Sequence, residues 1–110
     1  MQDMSEINTM PARSSRESPD RSPKAVGKRL ALLREIHNLD QDEIAESIGV
    51  TQGTYSNWET GSRPLGIQSA HAICDEYDVT LDWLYRGRMG SLPLPLENAI
   101  RRLKLGPKQD

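Results

Sequence analysis

Residues Gln41 to Gly61 read QDEIAESIGVTQGTYSNWETG, and the spacing of caps, glycines and apolar residues in this stretch decides the architecture. Asp40, just before it, can accept a hydrogen bond at the start of a helix. Glu43 can return one three residues later, a capping box with Asp in the cap position. Ile44, Ala45 and Ile48 then share one face at helical spacing. Gly49 stands where a left-handed residue closes that helix, Val50 is free to plug the gap, and Thr51 can cap the next helix. The spacing predicts two short helices joined by a tight turn.

In the second helix Tyr55 and Trp58, three apart, point one way, while Gln52, Gly53, Ser56 and Asn57 fall on other sides of the cylinder. Gln and Asn present a donor and an acceptor together, matching the paired groups of adenine in the DNA major groove, and Gly53 would let the backbone approach closely. These four are the candidate base-reading residues. The alternative is an ordinary solvated face; the spacing of caps, glycine and plug argues for DNA. Backbone N–H groups at helix N-termini can hold phosphates without any lysine, so Gln41, Thr51 and Thr54 are candidate phosphate contacts, and Arg63 is the cationic one.

With these residues in place, the stretch from 25 to 86 resembles the phage-repressor-like helix-turn-helix family, which includes lambda-type and xenobiotic-response-element-type regulators. The matching marks are Val26-Gly27-x-Arg29-Leu30-x-x-Leu33-Arg34, Leu39-x-Gln41-x-Glu43-Ile44-Ala45, Gly49-Val50-Thr51, Trp58-Glu59-x-Gly61 and Val79-Thr80-Leu81-Asp82-Trp83-Leu84. The resemblance implies an all-α, compact five-helix DNA-binding domain whose third helix enters the major groove, usually as a dimer on a two-fold-symmetric operator. It also implies a structural ion pair between Arg34 and Glu59, joining helices one and three.

Outside the central stretch, Ser22 can cap a first helix with Pro23 in its first turn, running to about His37 with Val26, Leu30 and Leu33 as its buried stripe. Asn38 stands where the family commonly uses glycine to close that helix. A fourth helix is expected over Ile67 to Tyr77, with Ile67, Ala70, Ile73, Cys74 and Tyr77 inward and His71 at its edge. Thr80 can cap a short fifth helix in which Leu81, Trp83 and Leu84 close the core before Gly87. The helical spacing of Trp58 and Trp83 with aliphatic residues favours core packing over a stacking platform for single strands.

The expected organisation is an N-terminal arm over residues 1–21, a domain over 22–87 and an extension over 88–110. The arm is rich in Ser, Pro, Arg and acids, which predicts mobility. Arg13, Arg16, Arg21 and Lys24 could enter a minor groove, but Asp3, Glu6, Glu17 and Asp20 offset them. In the extension, SLPLPL reads as an extended or polyproline segment, and Leu96, Ile100 and Leu103 form one helical stripe. So short an apolar helix either packs on a second chain, the favoured expectation, or folds back on the domain.

Charge pulls against the DNA reading. Residues 25–86 carry five Lys and Arg against ten Asp and Glu, a net of −5, whereas phosphate attraction supplies much of the affinity of a DNA binder. The stretch from Arg88 onward is net +3. Asp40 puts a repulsive charge near the DNA backbone, so a modest affinity is expected.

Lone Cys74 on a helix reads as a small buried hydrophobe. His37 and His71 are too isolated to imply a metal, and neither a cofactor nor a small-molecule ligand is indicated. Catalysis has no foothold: there is no phosphate-cradling GxxxxGK loop, no Cys–His pairing and no convincing carboxylate pair. No window approaches the ~20 apolar residues of a membrane span, and no signal peptide is evident, so a cytoplasmic protein is expected. The sequence thus predicts a sequence-specific, double-stranded DNA-binding transcription regulator, with a repressor acting as a homodimer as the favoured form. The alternative from another class is a protein-interaction module of the same fold, an antitoxin or adaptor, with weak or no DNA binding.

Overall fold

Four of the six described helices begin where a side chain satisfies one of their first free N–H groups. The computed structural model describes residues 21–105, and the arm expected before Arg21 lies outside them. α1 (Pro23–Ile36) starts with Ser22 Oγ accepting from the Ala25 N–H at 3.1 Å and with proline in its first turn. α2 (Gln41–Ser47) has the full capping box: Asp40 accepts from the Glu43 N–H, and the Glu43 carboxylate accepts from the Asp40 N–H, both at 2.9 Å. α3 (Gln52–Thr60) is capped by Thr51, which accepts from the Thr54 N–H at 3.2 Å. α4 (Ile67–Tyr77) follows Gly66 without a side-chain cap. α5 (Leu81–Arg86) is capped by Thr80, and α6 (Leu94–Leu105) completes the described chain.

The helix ends are as local as the starts. Asn38 takes φ 58 after α1, the left-handed closure expected of it, and Asp78 does the same after α4 at φ 62. Gly49 closes α2 at φ 78, so α3 restarts three residues later.

One apolar core joins the six helices of the described residues. Leu30 and Leu33 from α1, Ile44 from α2, Tyr55 from α3, Ile73 from α4, Trp83 and Leu84 from α5 and Ile100 from α6 are its fully buried large side chains. Trp58 and Trp83 are 7% and 2% exposed, so both indoles are core residues and offer no stacking platform. α1 runs through the middle, against α3, α5 and α6. Gly27 sets its distance from α3: a Cβ there would lie 2.3 Å from the Glu59 carbonyl oxygen and 2.5 Å from that of Trp58.

Three expectations of the sequence give way. Ile67 is 54% exposed, because it is the first residue of α4 and side chains there lean toward the helix start and out of the bundle; Leu65, in the preceding loop, is buried in the core instead. The SLPLPL segment is not extended throughout, since Leu94 and Pro95 already lie in the first turn of α6, where proline loses no hydrogen bond. α6 folds back on its own domain, contrary to the favoured expectation of packing on a second chain: Ile100 is buried in the shared core, Leu96 is packed against it, and Leu92, in the loop before the helix, is buried as well. Leu103, on the same stripe, is 37% exposed.

Candidate nucleic-acid interface

α3 is anchored by one face and open on the other. Tyr55 is fully buried, and its ring meets that of Trp58 edge-on, with centroids 6.1 Å apart and planes at 77°. With that side fixed, Gln52, Gly53, Thr54 and Asn57 are exposed, while Ser56 is half-buried. Among the described residues nothing lies within 4 Å of where a Cβ on Gly53 would stand, so its smallness serves no packing among them.

Beneath this face runs a hydrogen-bonded network that begins in the core. Arg34 grips Glu59 with two parallel bonds, Nε to Oε2 at 2.7 Å and Nη2 to Oε1 at 3.1 Å. Tyr55 donates its hydroxyl to Glu59 Oε2 at 2.6 Å. Gln41 Nε2 donates to Glu59 Oε1 at 2.9 Å, and Gln52 Nε2 donates to Gln41 Oε1 at 2.6 Å. Five side chains from α1, α2 and α3 are thereby linked from the bundle interior to the first residue of the exposed helix.

The carboxylate at the centre is nearly buried, with 9% of the Glu59 side chain exposed against 26% for Arg34. Burial alone would push Glu59 up, but the hydrogen bonds from Arg34, Tyr55 and Gln41 outweigh it and hold the carboxyl below its ordinary value. Arg34 is raised in turn, chiefly by its bond to Glu59. Burial, with the neighbouring carboxylate second, pushes the Tyr55 hydroxyl far above the ordinary phenol range, so it remains a donor.

The candidate phosphate contacts surround this centre without forming one cluster. Gln41 is half-buried, and its side chain is committed to Glu59 and Gln52, which leaves one amide N–H. Thr51 Oγ1 donates to Thr54 Oγ1 at 2.9 Å, tying the two exposed hydroxyls together at the start of α3. At the other end of the helix Arg63 is exposed and borders a hollow of about 580 Å³ lined by Thr54, Asn57, Trp58, Arg63 and Pro64. The Arg63 N–H donates to the Asn57 carbonyl oxygen at 3.1 Å, and Ser62 donates to Asn57 Oδ1 at 3.2 Å. Lys24 comes to this end as well: Gly61, at φ 81, leaves room for the Lys24 backbone, whose Cα would lie 2.8 Å from a Cβ on the glycine. Arg21 and Lys24 are exposed, while Arg13 and Arg16 lie outside the described residues.

The arrangement of α2, Gly49 and α3, with one face of α3 anchored and the other free, is that of a helix-turn-helix. The helix-turn-helix family profile matches residues 30–84. The chain belongs to the helix-turn-helix family, Cro/C1 type. Within this family it is similar to the uncharacterized HTH-type transcriptional regulator YobD of Bacillus subtilis, 30% identical over 57 residues that cover 52% of this chain and 51% of YobD. It is also similar to the antitoxin PezA of Streptococcus pneumoniae, 29% identical over 55 residues that cover 50% of this chain and 35% of PezA. The matched stretch therefore spans about half or less of either relative. No solved structure matches the chain.

The sequence left the network around Glu59 half-read. The Arg34–Glu59 pair comes from the family resemblance, but the donors from Tyr55 and Gln41 do not. The available signal was positional. Tyr55 and Glu59 are four apart on α3, and Gln41 and Gln52 are each the first residue of consecutive helices.

Proposed function

We propose that this chain is a sequence-specific, double-stranded DNA-binding transcription regulator, a repressor that occludes a two-fold-symmetric operator as a homodimer. The observation that carries the reading is the division of α3: Tyr55 and Trp58 are buried, while Gln52, Gly53 and Asn57 are exposed. A helix held in this way can enter the major groove, which is wide enough for it, and place amide side chains against base edges. Gln52, Gly53, Ser56 and Asn57 read bases. Gln41, Thr51, Thr54 and Arg63 hold the phosphate backbone on either side. The regulator acts by binding and not by catalysis, in the cytoplasm, where its DNA is. Among the described residues no helix is long and apolar enough to cross a membrane, and no group of three or more His, Cys, Asp or Glu could hold a metal ion.

Selection of bound duplexes from a random pool tests this directly. A two-fold-symmetric motif is expected, and Gln52→Ala or Asn57→Ala should each cost about 1 to 3 kcal/mol of discrimination at one position per half-site. A pool that shows no enrichment at low salt sinks the proposal. The second reading, a protein-binding antitoxin or adaptor, draws on the likeness to PezA and on the excess of acids in residues 25–86. It expects a partner protein and little or no DNA affinity.

A further inference from the structure

We infer that Glu59, which touches no base itself, is a positioning residue that fixes which end of the Gln52 amide faces the groove, and so makes that position read adenine in preference to guanine. The inference rests on the proposal that α3 reads bases. Its basis is the chain of bonds Glu59–Gln41–Gln52 and the donor–acceptor chemistry of each link.

An ionised carboxylate only accepts hydrogen bonds. Glu59 is held ionised between the two Arg34 bonds and the Tyr55 hydroxyl, and each of its oxygens receives two donors. Gln41 must therefore turn its Nε2 toward Glu59, which leaves its Oε1 toward Gln52. That oxygen in turn demands a donor, so Gln52 turns its own Nε2 inward. What Gln52 keeps for the groove is its Oε1 acceptor and one remaining N–H. Adenine offers N6–H and N7 in the complementary order, whereas guanine offers two acceptors, O6 and N7, and would set one against the Gln52 oxygen. Reversing both amides would present two N–H groups and suit guanine instead. The fixed charge in the core forbids that reversal.

Replacing the carboxylate by an amide removes the prohibition. In Glu59→Gln the new oxygen can take the Arg34 Nε and Tyr55 donors while the new NH₂ points at Gln41, so both polarities become available. A merely structural role for Glu59 would weaken binding to all sequences alike. A polarity role changes the base chosen at one position.

The test has two arms on the full chain. In DNA-free, isotope-labelled protein, through-hydrogen-bond NMR correlations should link Gln41 Nε2 to the Glu59 carboxyl carbon and Gln52 Nε2 to the Gln41 amide carbon; absent or reversed correlations overturn the relay. In the second arm, duplexes selected by the wild-type chain should show adenine over guanine at one position per half-site, by roughly 5- to 150-fold. Glu59→Gln should bring that ratio to within about threefold while other positions keep their preference. Because Glu59→Gln also weakens the core ion pair, Gln41→Met, which leaves the Arg34–Glu59 bonds in place, serves as the second variant and should bring the same loss. An unchanged adenine preference in either folded variant overturns the inference. A wild-type chain that selects no motif while its NMR correlations stand overturns the DNA reading and, with it, the base choice, and leaves the bonded chain as architecture alone.

Discussion

Glu59 is the residue on which the interior and the exposed face both depend, so its removal is the sharpest single change available. Glu59→Ala removes the acceptor shared by the partly buried Arg34 guanidinium, the Tyr55 hydroxyl and a Gln41 amide, and leaves Arg34 only its Nη1 bond to the Leu39 carbonyl at 3.2 Å and Tyr55 only its 3.3 Å bond to the Leu30 carbonyl. Breaking a buried pair from one side costs about 3 to 5 kcal/mol, and because Arg34 retains 26% exposure the lower figure applies. In a domain of this size about 3 kcal/mol corresponds to a fall in melting temperature of roughly 12 to 24 °C, readable by circular dichroism; a nearly unchanged melt would contradict the geometry. The pH dependence has a definite sign. The folded Glu59 titrates below its ordinary value of 4.5, so its contribution is complete above that value and is lost as the pH falls through the lowered one. Stability against urea should therefore decline on acidification below about pH 4.5, and Glu59→Gln should flatten that limb. The two glycines that face opposite ways make a matched pair. Gly27→Ala forces a methyl onto the α3 carbonyls and should cost at least about 1 to 3 kcal/mol. Gly53→Ala meets open space and should leave stability unchanged or raise it by up to about 1 kcal/mol. If α3 reads DNA as proposed, Gly53→Ala should lower DNA affinity all the same, and a variant that binds DNA as well as wild type would remove Gly53 from the interface.

At the scale of elements, what the sequence makes legible is what lies within one or two turns. The capping box of Asp40 and Glu43, the Ser22, Thr51 and Thr80 caps and the left-handed Asn38 each rest on residues at most four apart, and each is found as the local chemistry dictates. Ile67 shows the limit of that logic: periodicity assigns a face, but the depth of a side chain at a helix's first turn depends on the neighbouring loop, and Leu65 occupies the core there. The Glu59–Gln41 bond spans eighteen positions and exists only because the ends of α1, α2 and α3 converge, which no window on the sequence reports. α6 is the largest such case. Its stripe is legible, but whether a second chain or the same one covers it is a tertiary fact. With Ile100 fully buried, Ile100→Ala should cost about 2 to 5 kcal/mol, whereas Leu94→Ala, at a 64% exposed position, should stay within about 0.5. Equal small effects in urea unfolding would mean that α6 does not dock in solution.

For the whole molecule the deciding quantity is charge, because the fold resembles a DNA reader while residues 25–86 carry twice as many acids as cations. Several of those acids are already engaged: Glu59 with Arg34, Asp82 with Arg86, and Asp40 and Glu43 with backbone N–H groups. Cations that remain exposed near the end of α3 are Lys24 and Arg63, and the backbone of Lys24 packs beside the loop that carries Arg63. A protein that neutralises few phosphates releases few counterions, so its affinity falls only gently with salt. If Lys24 and Arg63 are the two phosphate partners in each protomer of a dimer, the slope of log affinity against log salt should be about −4, at roughly −0.9 for each neutralised phosphate. Arg63→Ala should bring it to about −2 by removing one contact from each half. Titration of a selected duplex by fluorescence anisotropy at several salt concentrations gives both slopes. A slope near zero would favour the protein-binding reading, since an adaptor that meets another protein releases no condensed counterions. A slope much steeper than −4 would place further cations on the DNA, and the first candidates are Arg13 and Arg16, which lie outside the described residues, and the basic stretch after Arg88. Repeating the titration on a chain that begins at Arg21 would separate these two sources, because Arg13 and Arg16 are the only Lys or Arg side chains it would lack and the basic stretch after Arg88 would be intact.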